Sequence, residues 1–165
     1  MSSHRLQLLG VAAAAVALLA ACDAGASENA GDDAVPAQVT YSCCADTDVD
    51  SLYRPGQTMS VHWTVESPDG PATSAPPVEL TASLTGPYAT VEELKTASEG
   101  RDIAAGVVTF TAPPIRPTGT SGEQPVSSIP IGSDARPGYY NLATSMNEVG
   151  RSSGGASIIR VVAKG

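Results

Sequence analysis

Thr58-Met-Ser-Val-His-Trp-Thr-Val-Glu66 decides the fold. Met59, Val61, Trp63 and Val65 alternate with Ser60, His62, Thr64 and Glu66, a clean period of two. Successive side chains of a strand point to opposite faces, so the stretch predicts a strand with one buried and one solvated face. Val78 to Thr85 repeats the pattern, with Val78, Leu80, Ala82 and Leu84 opposing Glu79, Thr81, Ser83 and Thr85. Further β-branched or aromatic runs lie at Ala37 to Ser42, Gly106 to Ala112, Val126 to Ile131, Tyr139 to Ser145 and Ala156 to Ala163. About seven strands follow, separated by Pro- and Gly-rich turns such as SPDGP, TAPPIRP and ARPG, the pattern of an all-β sandwich.

One segment departs from it. Thr90-Val-Glu-Glu93 has capping-box spacing, and Leu94, Lys95 and Ala97 lead to Gly100, so residues 91 to 98 are expected to form one short helix at an end of the sandwich.

Composition bounds the rest. The chain has 165 residues, enough for one ordinary domain, and 16 Gly with 13 Pro disfavour long helical arrays. With 17 Asp and Glu against 9 Lys and Arg, the net charge is −8, which argues against a nucleic-acid partner because phosphate binding needs clustered cations. Aromatic residues are only 4%, and they run from Tyr41 to Tyr140, inside the expected domain.

The N-terminus reads as an address. His4 and Arg5 precede an apolar run from Leu6 to Ala20, too short to span a bilayer, and the run ends in Leu19-Ala20-Ala21-Cys22. These four residues resemble the lipobox of bacterial lipoproteins. The resemblance implies a signal peptide over residues 1–21, cleavage after Ala21, a lipid on Cys22, and attachment to the extracytoplasmic face of the cell membrane. Two or three acyl chains suffice for lasting attachment. From Cys22 to Pro36 the chain is small and acidic, with four acids and no bases, and is expected to be a disordered linker with a reach of roughly 20 Å. Residues 37–165 are then the domain.

Asp134-Ala-Arg-Pro-Gly-Tyr-Tyr140-Asn-Leu142 and Tyr53-Arg-Pro-Gly-Gln-Thr-Met-Ser-Val61 resemble turns that enter strands of immunoglobulin-like and fibronectin-type-III-like bacterial modules. The resemblance implies an immunoglobulin-like β-sandwich and gives Tyr140 the tyrosine-corner role, its hydroxyl bonding back to the turn. Two departures stand out. The inter-sheet cysteine pair of antibody domains is absent, and Trp63 falls on the second counted strand instead of the third.

Several residues could carry chemistry. Cys43 and Cys44 are adjacent, and consecutive trans Cα atoms lie about 3.8 Å apart, below the usual disulfide range. Three readings stay open: a vicinal disulfide shaping a turn, intermolecular pairing or free thiols, and a metal or redox site. Asp46, Asp48 and Asp50 at alternate positions open like a calcium loop, but Ser51 and Gln57 stand where that loop needs Gly and Glu, so a solvated acidic loop is the default. His62 is expected on the exposed face. With Met59, Met146 and the cysteines it raises a copper reading, against which no two of them sit at ligand spacing. Gly150-Arg-Ser152-Ser-Gly154 matches the letters of a nucleophile elbow, yet it is expected as a hairpin loop in an all-β chain. Leu84 to Tyr88 and Ala112 to Gln124 are the most distinctive loops, and loops on a β scaffold are where binding usually resides.

The expectation is a lipid-anchored, extracytoplasmic binding or scaffolding module, non-catalytic and without a cofactor, whose partner is an unknown protein or glycan at the cell surface. The alternative is an envelope metal-handling protein for copper or calcium, using Cys43 and Cys44 or Asp46 to Asp50, with His62.

Overall fold

The computed structural model describes residues 39–67, 77–100, 105–120 and 122–165. The expected signal peptide, Cys22 and the expected acidic linker lie outside the described residues.

Among the described residues, eight strands and two short helices run in the order β1 (Thr40–Cys43), α1 (Asp46–Val49), β2 (Leu52–Tyr53), β3 (Thr58–Glu66), β4 (Glu79–Tyr88), α2 (Val91–Ser98), β5 (Val108–Thr111), β6 (Val126–Pro130), β7 (Gly138–Glu148) and β8 (Arg151–Val161). They form a three-stranded sheet, β1-β3-β6, and a five-stranded sheet, β2-β8-β7-β4-β5. All neighbours are antiparallel except β2, which runs parallel to the end of β8. With β1, β3 and β6 facing β8, β7, β4 and β5, the order is that of an immunoglobulin-like sandwich in which β2 is a detached piece of the first strand. Trp63 therefore sits on the third strand of the chain, although it remains in the second position of the sandwich.

Three expectations change. The strands number eight because β2, only two residues long, is too short to show a periodicity. A second helix exists because α1 folds within the acidic run, where alternating Asp residues gave no helical signal. The loop expected at Leu84 to Tyr88 is instead the end of β4, paired with β7 through a register irregularity between Thr85 and Tyr88.

Burial follows the alternation. Met59, Val61, Trp63 and Val65 are buried on β3, and Val78, Leu80, Ala82 and Leu84 are buried at and along β4. All of them but Val65 meet Ile129 of β6, Tyr140 and Leu142 of β7, and Ile159 and Val161 of β8 in one core. Each large side chain removed from water contributes roughly 1.5–3 kcal/mol. Trp63 also carries a polar atom inward, and its Nε1–H donates to the buried Ser127 Oγ at 3.0 Å, which satisfies both.

The cap of α2 forms as its sequence implies: Thr90 Oγ1 accepts the Glu93 amide at 3.1 Å while the Glu93 carboxylate accepts the Ala89 amide at 2.8 Å. Tyr140 fills the corner role, its hydroxyl donating to the Arg136 carbonyl at 2.8 Å. Burial holds that phenol above its usual 10.0 against the pull of Arg136, so it stays a protonated donor. Among the described residues no helix is long and apolar enough to cross a membrane.

Gly86 and Gly138 show why the corner needs glycine. A Cβ at Gly86 would lie 2.6 Å from the Tyr140 ring, and one at Gly138, where φ is +157°, would lie 2.8 Å from Pro87 and from the Tyr88 carbonyl. Gly86→Ala is therefore expected to destabilise the domain by about 1–3 kcal/mol in urea unfolding. Gly155→Ala, whose nearest neighbour is 3.6 Å away, serves as the control. Equal midpoints for the two variants would contradict this packing.

Candidate functional site

The acidic run and the histidine strand meet at one corner. Acidic residues suit the first turn of a helix, where the dipole is positive, and Asp46 and Asp48 both occupy it in α1. The turn sends them apart. Asp46 and Asp50 face solvent, whereas Asp48 is only 3% exposed. Its carboxylate takes two bonds from one residue, the His62 backbone N–H at 2.7 Å and His62 Nδ1 at 2.8 Å. A carboxylate oxygen can only accept, so the ring donates from Nδ1, which leaves Nε2 as the acceptor of the neutral ring. The His62 side chain is 53% exposed, as its alternate position on β3 implies.

Tyr53 completes the corner, its hydroxyl donating to the Asp48 carbonyl at 2.8 Å. Burial first, and the Asp48 charge second, push this phenol above its usual 10.0. The acidic run is thus no solvated loop, and its three carboxylates do not share a ligand position. Among the described residues no group of three or more His, Cys, Asp or Glu side chains could hold a metal ion. Spacing gave no hint of the Asp48–His62 pair, because the partners are 14 residues apart and meet only through the fold.

Cys43 and Cys44 are bridged to each other, through a cis peptide that brings their Cα atoms to 3.1 Å. The trans spacing assumed from sequence does not apply. Both cysteines are half-buried and pack against the core.

Beside them a cleft of about 220 Å³ opens between the two sheets. Tyr41, Ser42 and Cys43 of β1 form one wall, Trp63 contributes from β3, and Met146 of β7 lies with Ser153, Gly154 and Gly155 of β8 on the other side. Only Arg160 and Val161 of β8 pair with β2, so among the described residues the outer edge of Arg151 to Ile159 carries no strand. Glycine at 154 is required by the neighbouring strand, since a Cβ there would lie 2.7 Å from the Thr144 carbonyl. Glycine at 155 is not required by packing and leaves the cleft open.

The long Ala112 to Gln124 segment is partly built into the sandwich. Ile115 exchanges backbone bonds with Leu80 at 2.9 and 3.0 Å, and Arg116 pairs with Glu79 at 2.6 Å. Farther on, the Glu123 carboxylate accepts the amides of Thr118 and Gly119 and the Thr118 hydroxyl. Burial raises the Glu123 carboxyl, but the Thr118, Gly119 and Thr120 hydrogen bonds outweigh it and hold the group below its usual 4.5. Gly122, Glu123 and Gln124 form one side of a second cleft, of about 330 Å³, whose other side is His62 to Val65.

The remaining expected residues separate. Met59 is fully buried in the core, and Met146 is half-buried at the first cleft. Ser152 belongs to β8, not to a hairpin loop, and its hydroxyl donates to Asn147 Oδ1 at 2.8 Å. It lies on the five-stranded sheet, whereas His62 lies on the three-stranded one and is bonded to Asp48.

No family model matches the chain, and no curated protein matches it. Among solved structures it is similar to Escherichia coli alpha-2-macroglobulin activated by porcine elastase, at 15% identity and a TM-score of 0.44, covering 77% of this chain and 13% of that one.

The Glu123 clamp predicts a pH dependence. A carboxyl held below 4.5 when folded stabilises its loop above that value and ceases to do so as pH falls through the lower, folded value. Amide-exchange protection at Thr118 and Gly119 is expected to drop across that window. In Glu123→Gln it is expected to be weak and flat, and a wild-type loop whose protection ignores acid would contradict the clamp.

Proposed function

We propose that this protein is a lipid-anchored, extracytoplasmic binding module, tethered to the cell membrane through Cys22 and non-catalytic, whose partner is a protein or glycan at the cell surface. Leu19-Ala-Ala-Cys22 at the end of a short apolar run supports the anchor, and the acidic stretch after it supplies a spacer between membrane and domain.

The observation that carries the binding role is the cleft between β1 and the β7–β8 hairpin. It joins two aromatic side chains, Tyr41 and Trp63, to a strand edge that has no neighbouring strand among the described residues and bears only small residues from Ser152 to Ser157. Main-chain N–H and C=O groups on such an edge offer hydrogen bonds to an extended segment, and an adjacent cleft receives its side chains. Aromatic residues also suit the faces of sugars, which keeps a glycan within the same reading. The edge lacks the Lys, Pro or bulge with which proteins usually blunt exposed strands.

A photo-crosslinking residue at Ser153 of the full chain, displayed on cells, tests both halves. The chain is expected in the membrane fraction, and irradiation is expected to give a discrete adduct that Gly155→Val abolishes by filling the cleft. The same residue at Glu92, on the exposed side of α2, is expected to give none. Equal adducts from both positions would overturn the site, and release of the chain into the medium would overturn the anchor.

A further inference from the structure

In the sequence no two copper-ligand candidates sit at ligand spacing, and Met146 is about a hundred residues from the adjacent Cys43 and Cys44. Folding removes that objection. Cys43 on β1 and Met146 on β7 thus share one small cleft from opposite sheets, with the Cys44 sulfur bonded to that of Cys43.

We propose that the opened Cys43–Cys44 bridge is a binding site for one Cu(I) ion, held by the two cysteine sulfurs with the Met146 thioether as third ligand. Opening is a two-electron step. Two thiol molecules, RSH, supply two electrons and two protons, the S–S bond breaks to give two cysteine thiols, and RSSR is released. Binding of Cu(I) then displaces the two thiol protons to solvent.

The chemistry of the cleft selects the ion. Soft thiolate and thioether ligands favour Cu(I), which accepts low coordination numbers. Zinc is commonly held by four N, S or O ligands, and calcium needs six or more oxygens. Among the described residues no imidazole or carboxylate lines this cleft, and His62 belongs to the other one. The remaining lining is Tyr41, Trp63 and small hydroxyl or glycine residues, which suits a group of low net charge. In the bridged state both cysteine sulfurs are consumed, so the site exists only after reduction. It does not depend on the partner proposed above, because the metal alone is the probe.

The test is a Cu(I) titration of the full chain, reduced with a water-soluble phosphine, in competition with a chromogenic Cu(I) chelator. One equivalent is expected to bind to the reduced protein and none to the bridged protein. Met146→Leu keeps the volume and apolar character of the side chain. It is expected to weaken binding at least about tenfold, the lower end of the loss seen when even a supporting residue of a metal site is removed. Cys44→Ser is expected to weaken it further. X-ray absorption of the wild-type complex reads the same site without a variant, and a first shell of sulfur alone is expected. A nitrogen in that shell, equal affinity in Met146→Leu, or no competition with the chelator would overturn the proposal.

Discussion

The Asp48 carboxylate is buried and accepts both the backbone amide and the ring Nδ1 of His62, at 2.7 and 2.8 Å. Taking a carboxylate out of water costs several kcal/mol, so its position is stable only because both oxygens find donors. The consequence reaches well beyond the pair. A helix of four residues cannot stand by itself. α1 is held because its central carboxylate is tied to β3 and its carbonyl at Asp48 receives the Tyr53 hydroxyl. The segment is then handed to the large sheet, where the Val162 amide donates to the Tyr53 carbonyl at 2.8 Å. One acid thereby links the small sheet, through α1 and β2, to the last strand of the large one, and the bridged cysteines and the end of β1 lie immediately upstream of it.

This anchoring gives β3 two unrelated duties. Its inward residues, Met59, Val61, Trp63 and Val65, close the core, while its outward His62 holds the corner that shapes the first cleft's β1 wall. The period of a strand makes that division possible, since neighbouring residues never share a face. β8 divides differently, along its length. Ile159 and Val161 are buried, whereas Arg151 to Ala156 are exposed and bear mostly small side chains beside the cleft.

Elements with a sustained pattern were legible in the sequence. β3 and β4 showed their alternation, α2 showed its capping box, and Tyr140 stood in a recognisable turn. What could not be read depends on partners distant in the chain. Gly86 and Pro87 carry the letters of a turn, yet they sit inside β4, where glycine is required by the approach of the Tyr140 ring. Asp48 looked like one of three equivalent loop carboxylates, and only the meeting of α1 with β3 distinguishes it. Cys43 and Met146 likewise share a cleft because β1 and β7 face each other across the sandwich. The long segment after Ala112 looked free of structure, but Ile115 and Glu123 each fix part of it through bonds that no local pattern announces.

Asp48 orders the Cys43 to Tyr53 segment and with it one wall of the cleft. Amide hydrogen exchange on Asp48→Ala tests this most directly. Protection is expected to collapse at His62 and from Cys43 to Tyr53 while the amides of β4 and β7 keep their wild-type protection. Unchanged protection from Cys43 to Tyr53 would contradict the account, as would a loss spread evenly over both sheets.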